Sequence, residues 1–318
     1  MRGLGVSVKL VSFTAQGERL VAGAARASLS RKPVDELFAL SEDEVGEWIL
    51  ETFRRQHFSP WEHSVYTFVV DGLSRVASHQ LVRHRLASYT QQSHRYTDGY
   101  LRAAALRAAE LVGASCRSGP DAPKTETYRC YARALRELAD RGGLEAVETA
   151  EVAYVKPPAL AGEDAETWAR SVLLATAVYY ELLSRGVRME DARYAVPNSV
   201  RTRIVVTVNA RELVQVLLPL RMCTKTQWEL RHIAWLMWRE LSKVHPRLFK
   251  WAGPRCILAE NSVRREPITV AEAMRCRDCL TIPRCPELVD REAIPLCLRQ
   301  AVETAQLPGD LLEELLPD

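Results

Sequence analysis

No apolar run in this sequence is long enough to cross a membrane. The longest near the middle, Ser171 to Val178, has eight residues, whereas a spanning helix needs about 20. The N-terminal run is interrupted by Lys9, so a signal peptide's continuous apolar core is missing and a cytoplasmic protein is expected. Charge of one sign is scarce too. The formal net charge is only +3, so no nucleic-acid partner is expected and any anion binding has to be local. There is no G-x-S-x-G elbow, and none of the seven histidines forms an H-E-x-x-H pair, which removes common marks of serine hydrolases and zinc peptidases. What remains, 318 residues at 47% hydrophobic and 26% charged, excludes disorder and suits one large folded unit or two smaller ones.

Apolar periodicity places the elements. Val6, Val8, Leu10 and Ser12 alternate as in a half-buried strand. Ser41 with Glu44 forms a capping-box pattern ahead of a helix through Trp48, Ile49, Leu50 and Phe53, ending near Gln56. Residues 63 to 70 read HSVYTFVV, a second strand, with Asp71-Gly72 as a turn signal. Leu73, Val76, Ala77 and Leu81 then recur at helical spacing and lead into Arg83-His84-Arg85. Residues 101 to 164 form an alanine-rich, variable helical insertion with loops at 118–123 and 157–162. Asp164 caps a long helix that Gly186 stops. TRIVVTV at 202–208 is a third strand, followed by helices over 210–218 and from Gln227 to about Val244, before His245-Pro246. Strands and helices do not alternate regularly, so an α+β fold is expected.

The chemistry concentrates in residues 83 to 96, RHRLASYTQQSHRY. Arg83, Arg85 and Arg95 are permanent cations, and Ser88, Thr90 and Ser93 add hydroxyls; forked guanidinium donors with short hydroxyls suit phosphate. A basic helix end that merely complements the dipole would have the same composition. The spacing decides between them. It resembles the signature of the flavin-dependent thymidylate synthases, and HFSPWEH at 57–63, Gln80, EDARYAVP at 190–197, TVNAR at 207–211 and LRMCTKTQWEL at 220–230 are similar to that family's other blocks, in the same order. Thr90 stands where the family commonly has Asn, Gln91 where it commonly has Glu, and Val196 where it has Leu.

The resemblance implies a mainly antiparallel sheet packed with long helices over residues 1–250; residues 251–318, to which it does not extend, read as a Cys-rich C-terminal extension. It implies methylation of dUMP to dTMP with methylenetetrahydrofolate as carbon donor, FAD as hydride carrier and NADPH as reductant, in a homotetramer whose active sites are shared between subunits. Carried over residue by residue, Ser59, Arg83, His84, Arg85, Gln91, Asn209, Arg211 and Gln215 would face FAD. Gln80, Leu81, Val82, Arg83, Gln91, Gln92, Ser93, His94, Arg95, Arg193 and Arg221 would face the nucleotide, with Ser93 and Arg95 on phosphate. Arg221 has the catalytic role, stabilising charge on the uracil ring. Plainer readings stand beside these. Asn209 could be an N-cap, Arg193 an ordinary helix partner of Glu190, His57 and His63 structural, and His79 surface. Cys223 reads as a small buried hydrophobe.

Of eight cysteines, Cys116, Cys130 and Cys223 are scattered, while Cys256, Cys276, Cys279, Cys285 and Cys297 crowd the tail. The C-x2-C pair suits thiolate ligands but no second pair follows, so zinc, an iron–sulfur site, disulfides and free thiols all remain open for the five. Asp310 and Glu313 suggest a capped terminal helix docking through Leu311, Leu312, Leu315 and Leu316. Two other functional classes compatible with parts of the pattern are a nucleotide- or RNA-binding module built on the arginine segment and a flavin oxidoreductase with a metal cluster in the tail.

Overall fold

The computed structural model describes residues 5–116, 123–276 and 278–316. It is an α+β chain with a four-stranded sheet of order β1-β2-β4-β3, where β1 is Ser7–Phe13, β2 Val65–Ser74, β3 Ala87–Gln91 and β4 Arg201–Asn209. β1 and β2 are antiparallel, with Ser7 opposite Asp71 and a bulge between Leu10 and Ser12. Two compact units divide the chain. One holds the described residues up to Asp71, His79–Thr90 and everything from Ile204 on; the other holds Gly72–Ser78 and Gln91–Arg203. Residues past 250 thus belong to the same unit as the N-terminal strand.

In the first unit, Ser41 caps the helix Glu42–Arg54 with the full reciprocal capping box, as its sequence pattern predicts. That helix buries Val45, Ile49 and Phe53, and Phe53 meets the rings of Phe58, Trp61 and Trp251. The expected strand at 63–70 is longer than its turn signal suggests. β2 runs through Asp71 and Gly72 to Ser74, because Gly72 takes a positive φ of 80° that lets the strand bend without stopping. The helix expected from Leu73 therefore begins at Arg75 and ends at Leu81. β3 is a strand that apolar alternation does not reveal, since its inward positions are Ala87, Tyr89 and Gln91.

In the second unit, the alanine-rich insertion is regular. Helices Lys124–Arg141 and Gly143–Ala153 pack against the long helix Gly162–Ser184, and Gly99–Leu111 packs on those two. Ala104, Ala105, Ala108, Ala134, Ala150, Ala169 and Ala177 are buried there, letting the backbones approach closely around Tyr131, Tyr154 and Tyr180. The loop expected at 157–162 is present, while most of that at 118–123 falls outside the described residues. The long helix starts at Gly162 with Asp164 in its first turn, and Gly186 terminates it with φ at 87°. A disulfide joins Cys116 to Cys130.

The tail carries its own polar anchor. Glu260 is fully buried, and it accepts hydrogen bonds from the Thr281 N–H and hydroxyl, the Ile282 N–H and Arg264. Burial alone would raise its pKa, but the donors from Ile282, Arg264 and Thr281 together hold it below the ordinary carboxylate range. The terminal helix, Gly309–Leu315, docks through Leu311 and Leu315; Asp310 pairs with Arg239 instead of capping. Glu260→Gln should lower unfolding stability by on the order of 2 kcal/mol, read from denaturant midpoints at pH 7. Because the folded-state pKa is depressed, the stabilisation is present above the ordinary carboxylate range and lost as pH falls below it; the wild-type and variant midpoints should therefore converge on acidification.

Candidate active site

The site residues of the first unit gather on two short elements. Helix Arg75–Leu81, of which His79 to Leu81 belong to this unit, ends in a turn at Val82 and Arg83, so the Leu81 carbonyl accepts from the His84 N–H, and the Tyr89 hydroxyl donates to the carbonyls of Leu81 and His84 at 3.0 and 2.9 Å. That hydroxyl fixes the end of the helix and with it His84, which is only 4% exposed. The second element is the helical run Ala210–Arg221. Asn209 caps it, its side-chain oxygen accepting from Glu212 N–H at 2.8 Å, so the plainer reading of Asn209 holds, and the cap leaves its amide nitrogen uncommitted. The run contains a π turn over Leu213–Leu217, ahead of Pro219, which has no N–H to donate.

These elements meet at His84. Arg221 donates from Nε to His84 Nε2 at 3.0 Å and from Nη2 to the Gln80 carbonyl at 3.2 Å. On the other side of the ring, Nδ1 stands 3.5 Å from Oε1 of buried Glu212. An imidazole that accepts at Nε2 carries its proton at Nδ1 and is neutral. Burial, and then the Arg221 charge, push the His84 pKa down from 6.5 to about 4. Burial raises that of Glu212, and lowers that of Arg221 against the opposing influence of Tyr89. Arg221 is thus a half-buried cation whose hydrogen-bond partners are neutral. Such a group can stabilise negative charge developing on a planar ring.

The other residues of this unit are arranged differently. Arg83 and Arg85 are exposed and have no carboxylate partner among the described residues. Val82 is half-buried and Leu81 buried in the core. Arg211 bonds Gln215 at 2.9 Å and Glu62 at 2.5 Å. Ser59, with His57, His63, Trp48 and Thr52, lines a separate pocket of about 510 Å³. His79 is exposed, as expected.

In the second unit, Arg75, His94 and Arg193 line an open pocket of about 430 Å³ with Tyr194, Pro197 and Asn198. Burial lowers the His94 pKa, and Arg75 and Arg193 lower it further, so two cations face an uncharged ring, a setting for an anion. Arg193 donates to the Glu190 carbonyl at 3.1 Å, whereas the Glu190 side chain pairs with Arg188; the expected alternative of a plain Glu190–Arg193 side-chain pair is not formed. Gln91 donates to Ser78 at 2.9 Å and Thr202 at 3.3 Å, so its amide is held internally. The Gln92 side-chain oxygen is buried without a partner among the described residues. Ser93 closes a turn by accepting from Arg95 N–H, and the exposed Arg95 lies over the Tyr96 ring at 5.3 Å.

Arg75 and Glu212 were not among the expected site residues. Arg75 had one available signal, a cation at the start of a helix, against the dipole. Glu212 had none, since only its burial beside His84 distinguishes it. The five tail cysteines do not form one ligand set. Cys276 and Cys279 are joined to each other, Cys256, Cys285 and Cys297 lie elsewhere, and among the described residues no three His, Cys, Asp or Glu side chains are placed to hold one metal ion. No described helix is long and apolar enough to cross a membrane.

Comparison with known proteins supplies the context for this geometry. Residues 9–247 match the family model described as thymidylate synthase complementing protein. The flavin-dependent thymidylate synthase of Aeropyrum pernix is 58% identical over 97% of this chain and 96% of its own, and that of Sulfolobus acidocaldarius 40% identical over 93% and 95%. A crystal structure of Thymidylate Synthase X from Helicobacter pylori with FAD and dUMP has a TM-score of 0.53 at 25% identity, covering 77% of this chain and 97% of that one.

The pH response of the His84 group follows from its depressed pKa. The contribution of the neutral ring to stability is complete above about 6.5 and is lost as pH falls toward about 4. His84→Gln should therefore flatten the drop in denaturant midpoint between pH 6.5 and 4, and an unchanged slope would contradict the neutral-ring assignment.

Proposed function

The chain belongs to the flavin-dependent thymidylate synthase family, and on that premise we propose that it methylates dUMP to dTMP, with methylenetetrahydrofolate giving the carbon, FAD carrying the hydride and NADPH supplying it. The observation that carries this reading is Arg221, a half-buried guanidinium held by a neutral imidazole and a carbonyl instead of a carboxylate. Its charge stays available to a uracil ring, where it stabilises negative charge on the imide and carbonyl oxygens as the ring carbon bonds the incoming one-carbon unit. His84 orients that guanidinium, and Glu212 orients His84.

The donor set suits both ligands. The exposed Arg83 and Arg85, with no carboxylate partner among the described residues, match a pyrophosphate, and Ser59 opens on a pocket with aromatic walls. With His84, Gln91, the Asn209 amide, Arg211 and Gln215, these residues would hold FAD. When bound, the flavin supplies hydride transfer, and no protein nucleophile is needed. Gln80, Leu81, Val82, Arg83 and Gln91 to Arg95, with Arg193 and Arg221, would hold dUMP. Arg75 and Arg193 give a cationic wall for its phosphate beside the uncharged His94, and the Gln92 oxygen, without a partner among the described residues, offers an acceptor. In this reading residues 1–250 perform the reaction in the cytoplasm, residues 251–318 extend the unit that holds Arg221, and four copies share their sites.

Purified protein loaded with FAD and given dUMP, methylenetetrahydrofolate and NADPH should form dTMP. A protein that cannot be loaded with FAD, or that forms no dTMP, would overturn the proposal. Arg221→Ala should keep FAD and lose 10² to 10³ in kcat, in the range of a lost charge-stabilising donor, roughly 3 to 4 kcal/mol. Arg75→Ala should instead raise the KM for dUMP by about tenfold, or about 1.4 kcal/mol, with kcat little changed.

A further inference from the structure

Four cysteines absent from the site above converge on one place. Cys223 follows Arg221 by two residues, Cys256 lies on the helix Arg255–Val263, Cys285 in the tight turn closed by the Arg284–Asp290 bridge, and Cys297 on the helix Ile294–Glu303. All four are unpaired, three are buried, and together they line a single apolar cavity. The space open to the centres of water-sized spheres is about 20 Å³, which leaves room for a compact inorganic group and none for a folate or a nucleotide.

The surroundings are those of sulfurs carrying charge. The Val289 N–H points at Cys285 Sγ at 3.4 Å, and Thr224 Oγ1 lies 3.2 Å from Cys297 Sγ. Arg231 is 7% exposed and reaches this place through Thr224, whose carbonyl accepts from Arg231 Nη1 and whose hydroxyl lies on Cys297. Its hydrogen bonds go to the carbonyls of Thr224, Thr226 and Thr304, and its Nε has no partner among the described residues. A buried cation without a carboxylate calls for another source of negative charge. Neutral thiols do not provide it, whereas thiolates bonded to a metal do.

We propose that Cys223, Cys256, Cys285 and Cys297 ligate a four-iron, four-sulfur cluster that ties the C-terminal tail to the turn following Arg221. Each thiol gives up its proton and its sulfur bonds one corner iron; ligation transfers no electrons. A single zinc would need its thiolates all about 2.3 Å from one centre, and no three candidate ligands are so placed. The corner irons of a cubane hold their thiolates farther apart, and backbone N–H donors and a nearby cation are what such a cluster uses to balance its charge.

The test is metal analysis of the full-length protein purified without oxygen, and again after anaerobic reconstitution with iron and sulfide. Iron and acid-labile sulfide should each reach about four per chain. Cys285→Ser should lose at least half of the iron, whereas Cys276→Ser should keep all of it. Alkylation of the native protein, mapped by mass spectrometry, should reach the four cysteines only after iron is chelated, which keeps the test decisive if Cys285→Ser does not fold. Absence of iron and sulfide after reconstitution, one zinc per chain, or a disulfide among the four would each overturn the proposal. None of these outcomes depends on dTMP formation, so the synthase reading stands or falls separately.

Discussion

The hydrogen bond from Arg221 to His84 sets the charge state of everything around it. A guanidinium can donate to an imidazole nitrogen only when that nitrogen keeps its lone pair, so the bond at 3.0 Å requires a neutral ring. Protonating the ring would leave two cations in contact inside a buried site, where the repulsion is poorly screened. Glu212 faces the Nδ1 side, where the neutral ring carries its proton, and so fixes the tautomer while burial and Arg221 keep the ring uncharged. Burial holds Glu212 toward its own neutral form, so the positive charge of Arg221 is oriented without being fully cancelled. A carboxylate directly on Arg221 would have held it as firmly and cancelled its charge.

That arrangement depends on an irregular helix. Glu212 and Arg221 are nine residues apart, which on a regular α-helix places them about half a turn out of phase, on opposite faces. The π turn at Leu213–Leu217 slows the rotation of the chain and brings both toward His84. Pro219 is compatible with the widened turn because the missing N–H leaves a carbonyl free of its usual α-helical partner. The irregularity thus costs some backbone hydrogen bonding and gains the relative orientation of two side chains.

The same irregularity explains what could be read from sequence. The capping box at Ser41, the strand at Ser7–Phe13 and the helix Trp228–Val244 follow from patterns of two or 3.6 residues that burial imposes directly. β3 escapes because its buried-side residues include Tyr89 and Gln91, placed there to hold a helix end and two hydroxyls. β2 outruns its turn signal because Gly72 serves a bend within a strand. At the site, Arg83, His84 and Arg221 are legible through the spacing of short polar blocks. Glu212 and Arg75 are not, since each is defined by a neighbour distant in sequence.

The cysteines show the same limit in stronger form. Cys276 and Cys279 are the pair that sequence proximity recommends as ligands, yet they bond each other. Cys223 reads in isolation as a buried hydrophobe, yet it lies with Cys256, Cys285 and Cys297 on one cavity wall. Its position gives that grouping a consequence for the site. Arg221 ends its helix and Cys223 begins the turn that follows, so a cluster holding the Cys223 sulfur also limits where the Arg221 backbone can move. Arg231 reinforces the link by gripping the carbonyls of Thr224 and Thr226 in that turn and of Thr304 in the tail. The tail thus fixes from behind the segment whose guanidinium His84 orients from the front.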